Sequence, residues 1–390
     1  MNTGRIIFSQ LMDVIPVYQF RKIVARHQGD YRVRRFQCWE QFLCLCFGQL
    51  TFRESLRDLS STLNALDSRR YHMGIKHSVS LSTFADANAA RPWQIYQDLA
   101  MLLVDQACRV CTKEDEMAST KISIYALDST TIDLCLSLFP WARFRKEKAA
   151  IKLHTLMDLE GSIPTFIHIS DGLTHDIHVL DMIPIMAGSI YIMDRGYMDF
   201  ERLYALDQSG GQFVIRARKN LQYYRKRSTS VDRSSGLQCD QLIRLTGPKP
   251  KKKYPKPLRR VRRIDRETSQ EIVLLTNMRE SVSAETICAY NKSRWQIELF
   301  FKWIKQHLRI KAFYGHSPNA VKTQIWTAIC TYLIILITQR TNQFTVKLHT
   351  MMQVLSVAIL DRMTLKQLFS DESLTELEPH TRNQLGLFDI

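Results

Sequence analysis

Five short apolar runs between residues 122 and 219 set the tightest limit on how this chain can fold. They are ISIYALDST (Ile122–Thr130), IKLHTLMDL (Ile151–Leu159), IPTFIHIS (Ile163–Ser170), SIYIMDRGY (Ser189–Tyr197) and QFVIRARK (Gln212–Lys219). Each is rich in β-branched residues or alternates apolar with polar, and so reads as a strand. The first three follow one another, with Glu160-Gly161 as a hairpin turn between the second and third. Helical HDIHVLDMIPIM then precedes the fourth run, and a helix near DFERLYALDQSG precedes the fifth. Consecutive strands followed by alternating helix and strand predict an α/β sheet of mixed strand direction, flanked by helices.

The sequence ahead of these runs is helical in texture. FQCWEQFLCLCFGQL and RPWQIYQDLAMLLVDQAC place apolar residues at helical spacing. SLSTFADANAARPWQIYQDL offers a short helix, a break near Arg91-Pro92 and a second helix, which suits either a helix-turn-helix reader of DNA or a plain packing domain. Arg32, Arg34 and Arg35 favour a DNA-facing surface.

Charge narrows the choice of partner. The 390 residues carry 54 Lys or Arg against 38 Asp or Glu, a net +16. Residues 216–266 hold 18 of those cations against Asp232, Asp240 and Asp265, which leaves +15 in that stretch alone. Tyr223, Tyr224 and Tyr254 stand among them. A basic surface with aromatic platforms suits a nucleic-acid backbone and unpaired bases. An anionic membrane surface is disfavoured, because no amphipathic helix adjoins the basic block. The longest apolar run, Ile325–Thr338, falls short of the roughly 20 residues of a spanning helix and predicts a buried core helix. The N-terminus shows no secretory signal, and nine scattered cysteines lack zinc-site spacing. Both point to a reduced, cytoplasmic setting.

Candidate chemistry lies in three carboxylates. Asp128 and Asp194 each follow an apolar strand and precede small or flexible residues, the position where sites of α/β sheets collect. Either aspartate alone could be a turn-former; together they suit a shared hard cation with oxygen ligands. The third, Glu298, stands in YNKSRWQIELFFKWIK, a stretch rich in aromatics and cations. At 100° per residue, Arg294, Glu298, Lys302 and Lys305 fall in one sector of roughly 80°. Leu299, Phe300, Trp303 and Ile304 are expected on the other side. Such a stripe is either a solvated face of weak i,i+4 pairs or the lining of a groove where cations hold phosphate oxygens beside a carboxylate.

YIMDRGYMDFERL and RWQIELFFKWIKQHL, together with Asp128, Asp194 and Glu298, resemble the DDE transposases of the bacterial insertion-sequence 4 family. Arg294, Glu298 and Lys305 match the spacing of that family's last motif. Tyr290 lies one residue upstream of the motif's tyrosine, a place held here by Asn291. The resemblance implies an RNase H-like core with a basic β-rich insertion. The expected division is a helical N-terminal DNA-binding domain over 1–112, core over 118–219, insertion over 220–280, core again over 281–345, and a C-terminal helix and tail over 346–390. It also implies two Mg2+ ions, replaceable by Mn2+, held by Asp128, Asp194 and Glu298. They would serve cleavage at insertion-sequence ends and strand transfer into target DNA. Arg294, Lys302, Lys305, Tyr290, Arg195, Lys251, Lys252 and Lys253 would bind DNA. A homodimer bridging two ends in a synaptic complex, in the bacterial cytoplasm at the nucleoid, follows from the same resemblance. A nuclease of the same fold without strand transfer, and a decayed copy that binds DNA and represses, are the alternatives.

The chain ends RNQLGLFDI. Gln384, Leu385, Leu387 and Phe388 resemble the pentapeptide that docks bacterial replication proteins on the sliding clamp, with Leu and Phe as anchors for an apolar pocket.

Overall fold

The computed structural model describes residues 4–113, 122–145, 148–265, 269–307 and 313–369. It falls into two compact units, one of Met1–Glu114 with Trp303–Ile390, the other of Asp115–Lys302.

The first unit is helical. Its N-terminal part forms α1 (Ile7–Met12), α2 (Val17–Arg26), α3 (Cys38–Leu50), α4 (Leu56–Ala65), α5 (Ser68–His72), α6 (Leu81–Ala90) and α7 (Gln94–Lys113). Local chemistry starts these helices. Ser55 and Ser80 accept backbone N–H groups at the heads of α4 and α6, and Gln37 with Glu40 forms a reciprocal capping box on α3. The break expected at Arg91-Pro92 is present: Arg91 is extended (ψ 133°), as a residue before proline prefers.

Among the described residues, the second unit holds ten strands. They are β1 (Ile124–Leu134), β2 (Arg143–Arg145), β3 (Lys148–Asp158), β4 (Ile163–Asp171), β5 (Ile190–Met193), β6 (Gln212–Arg216), β7 (Tyr223–Thr229), β8 (Leu237–Leu245), β9 (Leu258–Ile264) and β10 (Glu271–Thr276). They form one sheet in the order β2-β3-β1-β5-β6-β10-β9-β8-β7, with β4 paired to β3. β1, β3 and β4 form an antiparallel meander, while β5 and β6 run parallel to β1. This is the α/β sheet of mixed strand direction that the strand runs predict. The hairpin turn at Glu160-Gly161 is observed, with Gly161 N–H donating to Asp158 Oδ2 (3.0 Å). HDIHVLDMIPIM is shorter than expected: only Asp176–Asp181 is helical, as a 3-10 turn.

Pleat alternation divides the sheet into two faces. Tyr125, Leu127, Tyr191, Met193, Phe213 and Ile215 point to one, where they meet Leu203 and Leu206 of α8 (Phe200–Gln208) in a buried cluster. Ala126, Ile192 and Val214 point to the other, the side that carries Asp128 and Asp194. The basic insertion does not interrupt the sheet but extends it, because β10 pairs with β6 on one side and β9 on the other. Within it lies a short helix, α9 (Pro248–Lys253), and a buried ion pair in which Arg259 Nε and Nη2 donate to the two Asp240 oxygens (2.8 and 2.6 Å). Arg259 Nη1 also donates to the carbonyls of Arg279 (3.0 Å) and Val282 (2.6 Å). That fixes the turn leading to Ser283, the N-cap of α10 (Ala284–Ser293). α10 packs on β5, β6, β8 and β9.

α11 (Trp295–His307) follows α10 and leads into the first unit, which is completed by α12 (Pro318–Thr341), α13 (Leu348–Ala358) and α14 (Leu365–Phe369). α12 is long and apolar enough to cross a membrane, but 94% of its most apolar stretch is buried, against α7, α3 and α6 among others. It is the core helix expected over Ile325–Thr338, extended at both ends. Asn319 anchors its head, donating to the carbonyls of Asn88 (2.9 Å) and Arg91 (2.6 Å) and accepting from Trp93 N–H (3.2 Å). The expected division kept 281–345 with the sheet. The observed packing instead groups α12 with the N-terminal helices, because its apolar surface is matched there on all sides. Cys38, Cys44, Cys46, Cys135, Cys239, Cys288 and Cys330 are free thiols.

Candidate active site

Asp194 is the first residue past β5. Asp128 is different from expectation: it does not close its strand, since β1 runs on to Leu134 against β3. What ends near Asp128 is its other neighbour. The parallel pairing of β1 with β5 stops at Leu127 and Met193, so Asp128 and Asp194 are the next residues on adjacent strands, on one face, with strands roughly 4.8 Å apart. The Ser129 N–H donates to Asp128 Oδ1 (2.8 Å).

The third acid arrives from the helices. Arg294, between α10 and α11, aims its guanidinium at two carboxylates: Nη1 pairs with Asp128 Oδ2, and Nη2 with Glu298 Oε1 at 2.7 Å. Arg294 and Asp128 are largely buried, while the Glu298 side chain is 45% exposed. Burial raises the Asp128 carboxyl from 3.8 to about 6. Arg294 and the Ser129 N–H pull it down, and Asp194 and Glu298 push it further up. The three expected acids, drawn from positions 128, 194 and 298, therefore share one electrostatic neighbourhood, in which Arg294 pairs with Asp128 and Glu298.

The donor set suits a hard divalent cation, being all carboxylate oxygen. Two of the carboxylates already converge on one positive charge, that of Arg294. Among the described residues no group of three His, Cys, Asp or Glu stands at metal-holding spacing. The Arg294 guanidinium stands between Asp128 and Glu298.

The remaining expected residues divide. Lys302 is exposed and Lys305 half-buried on α11; Tyr290 is half-buried on α10; Arg195 is exposed beside Asp194. Leu299 departs from expectation. It is 54% exposed, as is Trp295 at 53%, so the outward face of α11 carries apolar as well as charged groups. Lys251, Lys252 and Lys253 are exposed on α9, which packs on α8, the helix covering the sheet face opposite to Asp128 and Asp194; Lys253 pairs there with Glu201 (2.9 Å). The structure does not bring them to the acids. Tyr254 is no stacking platform: it is 1% exposed, packed edge-on to Tyr204 and Phe213. Gln384, Leu385, Leu387 and Phe388 lie outside the described residues.

Two features escaped the sequence. One is a groove of ≈ 800 Å³ lined by Arg195, Arg216, Arg218, Lys219, Tyr223 and Arg260 among others, with Arg260 over the Tyr223 ring at 5.1 Å. The cations were legible as charge, but their convergence depends on β10 joining β6 to β9. The other is a polar stripe on the opposite face of the sheet. Ser129, Lys152, His154, His168 and Ser170 lie there by register across β1, β3 and β4. Asp176 sits over it, accepting from Ser129 Oγ (3.0 Å) and Lys152 Nζ (3.3 Å). His154 is fully buried and its pKa is lowered by that burial to about 4, so the imidazole is neutral; Nε2 lies 2.9 Å from Ser170 Oγ. Polar residues at i and i+2 in three successive strands were the available signal.

Residues 119–334 match the family model for the transposase DDE domain, and residues 3–76 match a domain of unknown function, DUF4372. The chain is 36% identical over 67% of its length to "Putative transposase y4zB" of Sinorhizobium fredii, covering 72% of that protein. It is 30% identical to "Probable transposase for insertion sequence element IS5377" of Geobacillus stearothermophilus, over 63% of each chain. It is 26% identical to "Putative transposase for insertion sequence element IS4SA" of Synechocystis, over 80% of this chain and 83% of that one. A solved piggyBac transposase synaptic complex with hairpin DNA aligns at TM-score 0.43 and 11% identity, over 97% of this chain and 84% of that one.

Proposed function

This chain belongs to the transposase DDE-domain family, and from that membership we propose that Asp128, Asp194 and Glu298 are the catalytic carboxylates of DNA end cleavage and strand transfer. The chain is a transposase, an enzyme of DNA phosphoryl transfer, and its family depends on a divalent metal. One observation carries the residue assignment: a single guanidinium bridges Asp128 and Glu298, 170 positions apart, while Asp194 adjoins Asp128 across the β1–β5 pair.

In this reading Asp128, Asp194 and Glu298 would hold two Mg2+ ions, with Mn2+ an effective substitute. Such ions would supply acidification of a water and neutralisation of developing negative charge. The chain's own groups do the rest. The Ser129 N–H holds one oxygen of Asp128 in place. Arg294, released from the carboxylates, turns its five donors to a backbone phosphate, a geometry that guanidinium matches well. Lys302, Lys305, Arg195 and Tyr290 would each add a contact to DNA. The groove of Arg195, Arg216, Arg218, Lys219 and Arg260 tracks the backbone away from the cut, and Tyr223 offers a stacking face. Lys251, Lys252 and Lys253 attract DNA generally. Joining two ends calls for a homodimer, and the tail from Gln384 to Phe388 would dock on a sliding clamp.

The test is a duplex carrying the inverted repeats that flank this element, incubated with supercoiled plasmid in Mg2+ and in chelator. A new 3′-OH at the element end followed by joined product is the expected result. Cutting without joining would replace transposition by a nuclease activity, and binding without cutting would leave only a DNA-binding repressor.

Acid should weaken the metal site before it unfolds the protein. With its folded pKa raised to about 6, Asp128 favours the native state most when protonated; that contribution is present below 3.8 and lost as pH rises through about 6. A cation needs the ionised form. Mn2+ affinity should therefore fall by about tenfold per pH unit below about 6, with Tm holding or rising over the same interval. Calorimetric titration with Mn2+ on either side of that pH checks it; a flat affinity would contradict the assignment of Asp128.

A further inference from the structure

Asp176 touches none of the proposed metal-binding oxygens, yet it is built into their support. It opens the 3-10 turn after β4 and lies over the sheet face opposite to Asp128 and Asp194. Three groups from two strands reach it. Ser129 Oγ of β1 donates at 3.0 Å, Lys152 Nζ of β3 donates at 3.3 Å, and His154 Nδ1 of β3 stands at 3.6 Å, beyond hydrogen-bond distance. Lys152 also donates to the Thr174 carbonyl (2.9 Å), which ties the approach to the turn onto the same strand. The Tyr197 ring, 2% exposed, closes the cluster, its hydroxyl kept protonated by burial and by the nearby charges of Asp128 and Asp176.

The link to the other face runs through Ser129. Its side chain points to Asp176, while its backbone N–H donates to Asp128 Oδ1. Ser129 lies beyond the last β1–β5 pair, so on that side no strand holds its peptide in register. Its antiparallel partner, His154, is itself locked by burial. Asp176 therefore clamps the residue whose peptide N–H donates to the proposed catalytic carboxylate, at the point where β5 no longer pairs with β1.

We propose that Asp176 is a positioning residue for Asp128, acting across the sheet through Ser129 to set the carboxylate for divalent-cation binding. The inference rests on the reading of Asp128 as a metal-binding carboxylate. Groups that orient metal ligands without touching the ion commonly change affinity by 10–100-fold when removed.

The experiment measures Mn2+ affinity by isothermal titration on the full-length protein without DNA, with thermal melting alongside. Asp176→Ala and Ser129→Ala should each weaken Mn2+ binding by about tenfold, and the double variant should be no weaker than either single one, because both break the same link. Asp176→Asn, which keeps an acceptor for Ser129 Oγ but loses the charge facing Lys152, should return to within about threefold of the parent. Additive effects in the double variant, an Asn variant as weak as the Ala variant, or unchanged affinity in Ser129→Ala would each overturn the proposal. Should Asp176→Ala fail to fold, Ser129→Ala and Asp176→Asn still decide it. Asp128→Ala separates the two readings: lost Mn2+ binding there with full binding in Ser129→Ala rejects the role of Asp176 alone, whereas retained binding in Asp128→Ala rejects the metal assignment itself.

Discussion

Asp128→Asn should reduce end cleavage by at least about a thousandfold while end DNA is still bound with near-parental affinity. A loss of that size corresponds to roughly 4 kcal/mol of transition-state stabilisation, the scale expected when one anionic oxygen leaves a metal-assisted phosphoryl transfer. The substitution is chosen to spare the fold. Asn retains an oxygen to accept the Ser129 N–H, and Arg294 retains Glu298. Stability should not suffer, because burial already disfavours the ionised form of Asp128, with Asp194 and Glu298 adding to the penalty. The variant should melt at or above the parental temperature, which is what a site held in a strained electrostatic state for function leads one to expect. Gel-shift binding, product mapping in Mg2+ and a melting curve on the same preparation test all three parts. Cleavage within tenfold of the parent would remove Asp128 from the chemistry. Lost cleavage with lost binding or a lower melting temperature would mean the residue holds the fold.

The second large effect is on stability. Asp240→Ala should destabilise the sheet unit by about 3–5 kcal/mol, because it leaves the Arg259 guanidinium buried without its counter-charge. Arg259 is 4% exposed and Asp240 5%, so water cannot replace the lost carboxylate cheaply. The damage should also spread, since the same guanidinium holds the Arg279 and Val282 carbonyls just ahead of α10, and α10 leads to Arg294. Replacing both partners, as in Asp240→Leu with Arg259→Met, should recover most of the loss; apolar substitution of a whole buried pair is often neutral or better. Urea denaturation of the parent, the single and the double variant checks this. A loss below about 1 kcal/mol in Asp240→Ala would show that the pair is solvated and that the insertion is held by its strands alone.

The two predictions mark different depths of legibility in the sequence. Asp128, Asp194 and Glu298 stood out because strand runs, the Asp-Arg-Gly-Tyr step and the Arg/Glu/Lys spacing are local patterns. Asp240 and Arg259 did not. In the sequence they are two charges in a block of eighteen cations and three acids, and only the β8–β9 register makes one acid the partner of one arginine inside the sheet. Tyr254 was misjudged for the same reason: a tyrosine among lysines reads as exposed until α9 turns it beneath α8. Leu299 was placed on the buried side by a helical wheel, which knows angles but not where the packing partner stops.

By itself the sequence determined what depends on neighbours along the chain: strands and their α/β alternation, helix starts, the apolar core helix, the concentration of charge and the three acids. Tertiary structure alone decided how far those elements reach and what faces what. It carried β1 on past Asp128, joined the basic insertion to the core sheet through β10, sent α12 to the N-terminal helices and set Asp176 across the sheet beneath Asp128. The physical reason is that periodicity records which side of a segment avoids water, whereas strand register and the choice of packing partner are settled by contacts between residues from tens to hundreds of positions apart.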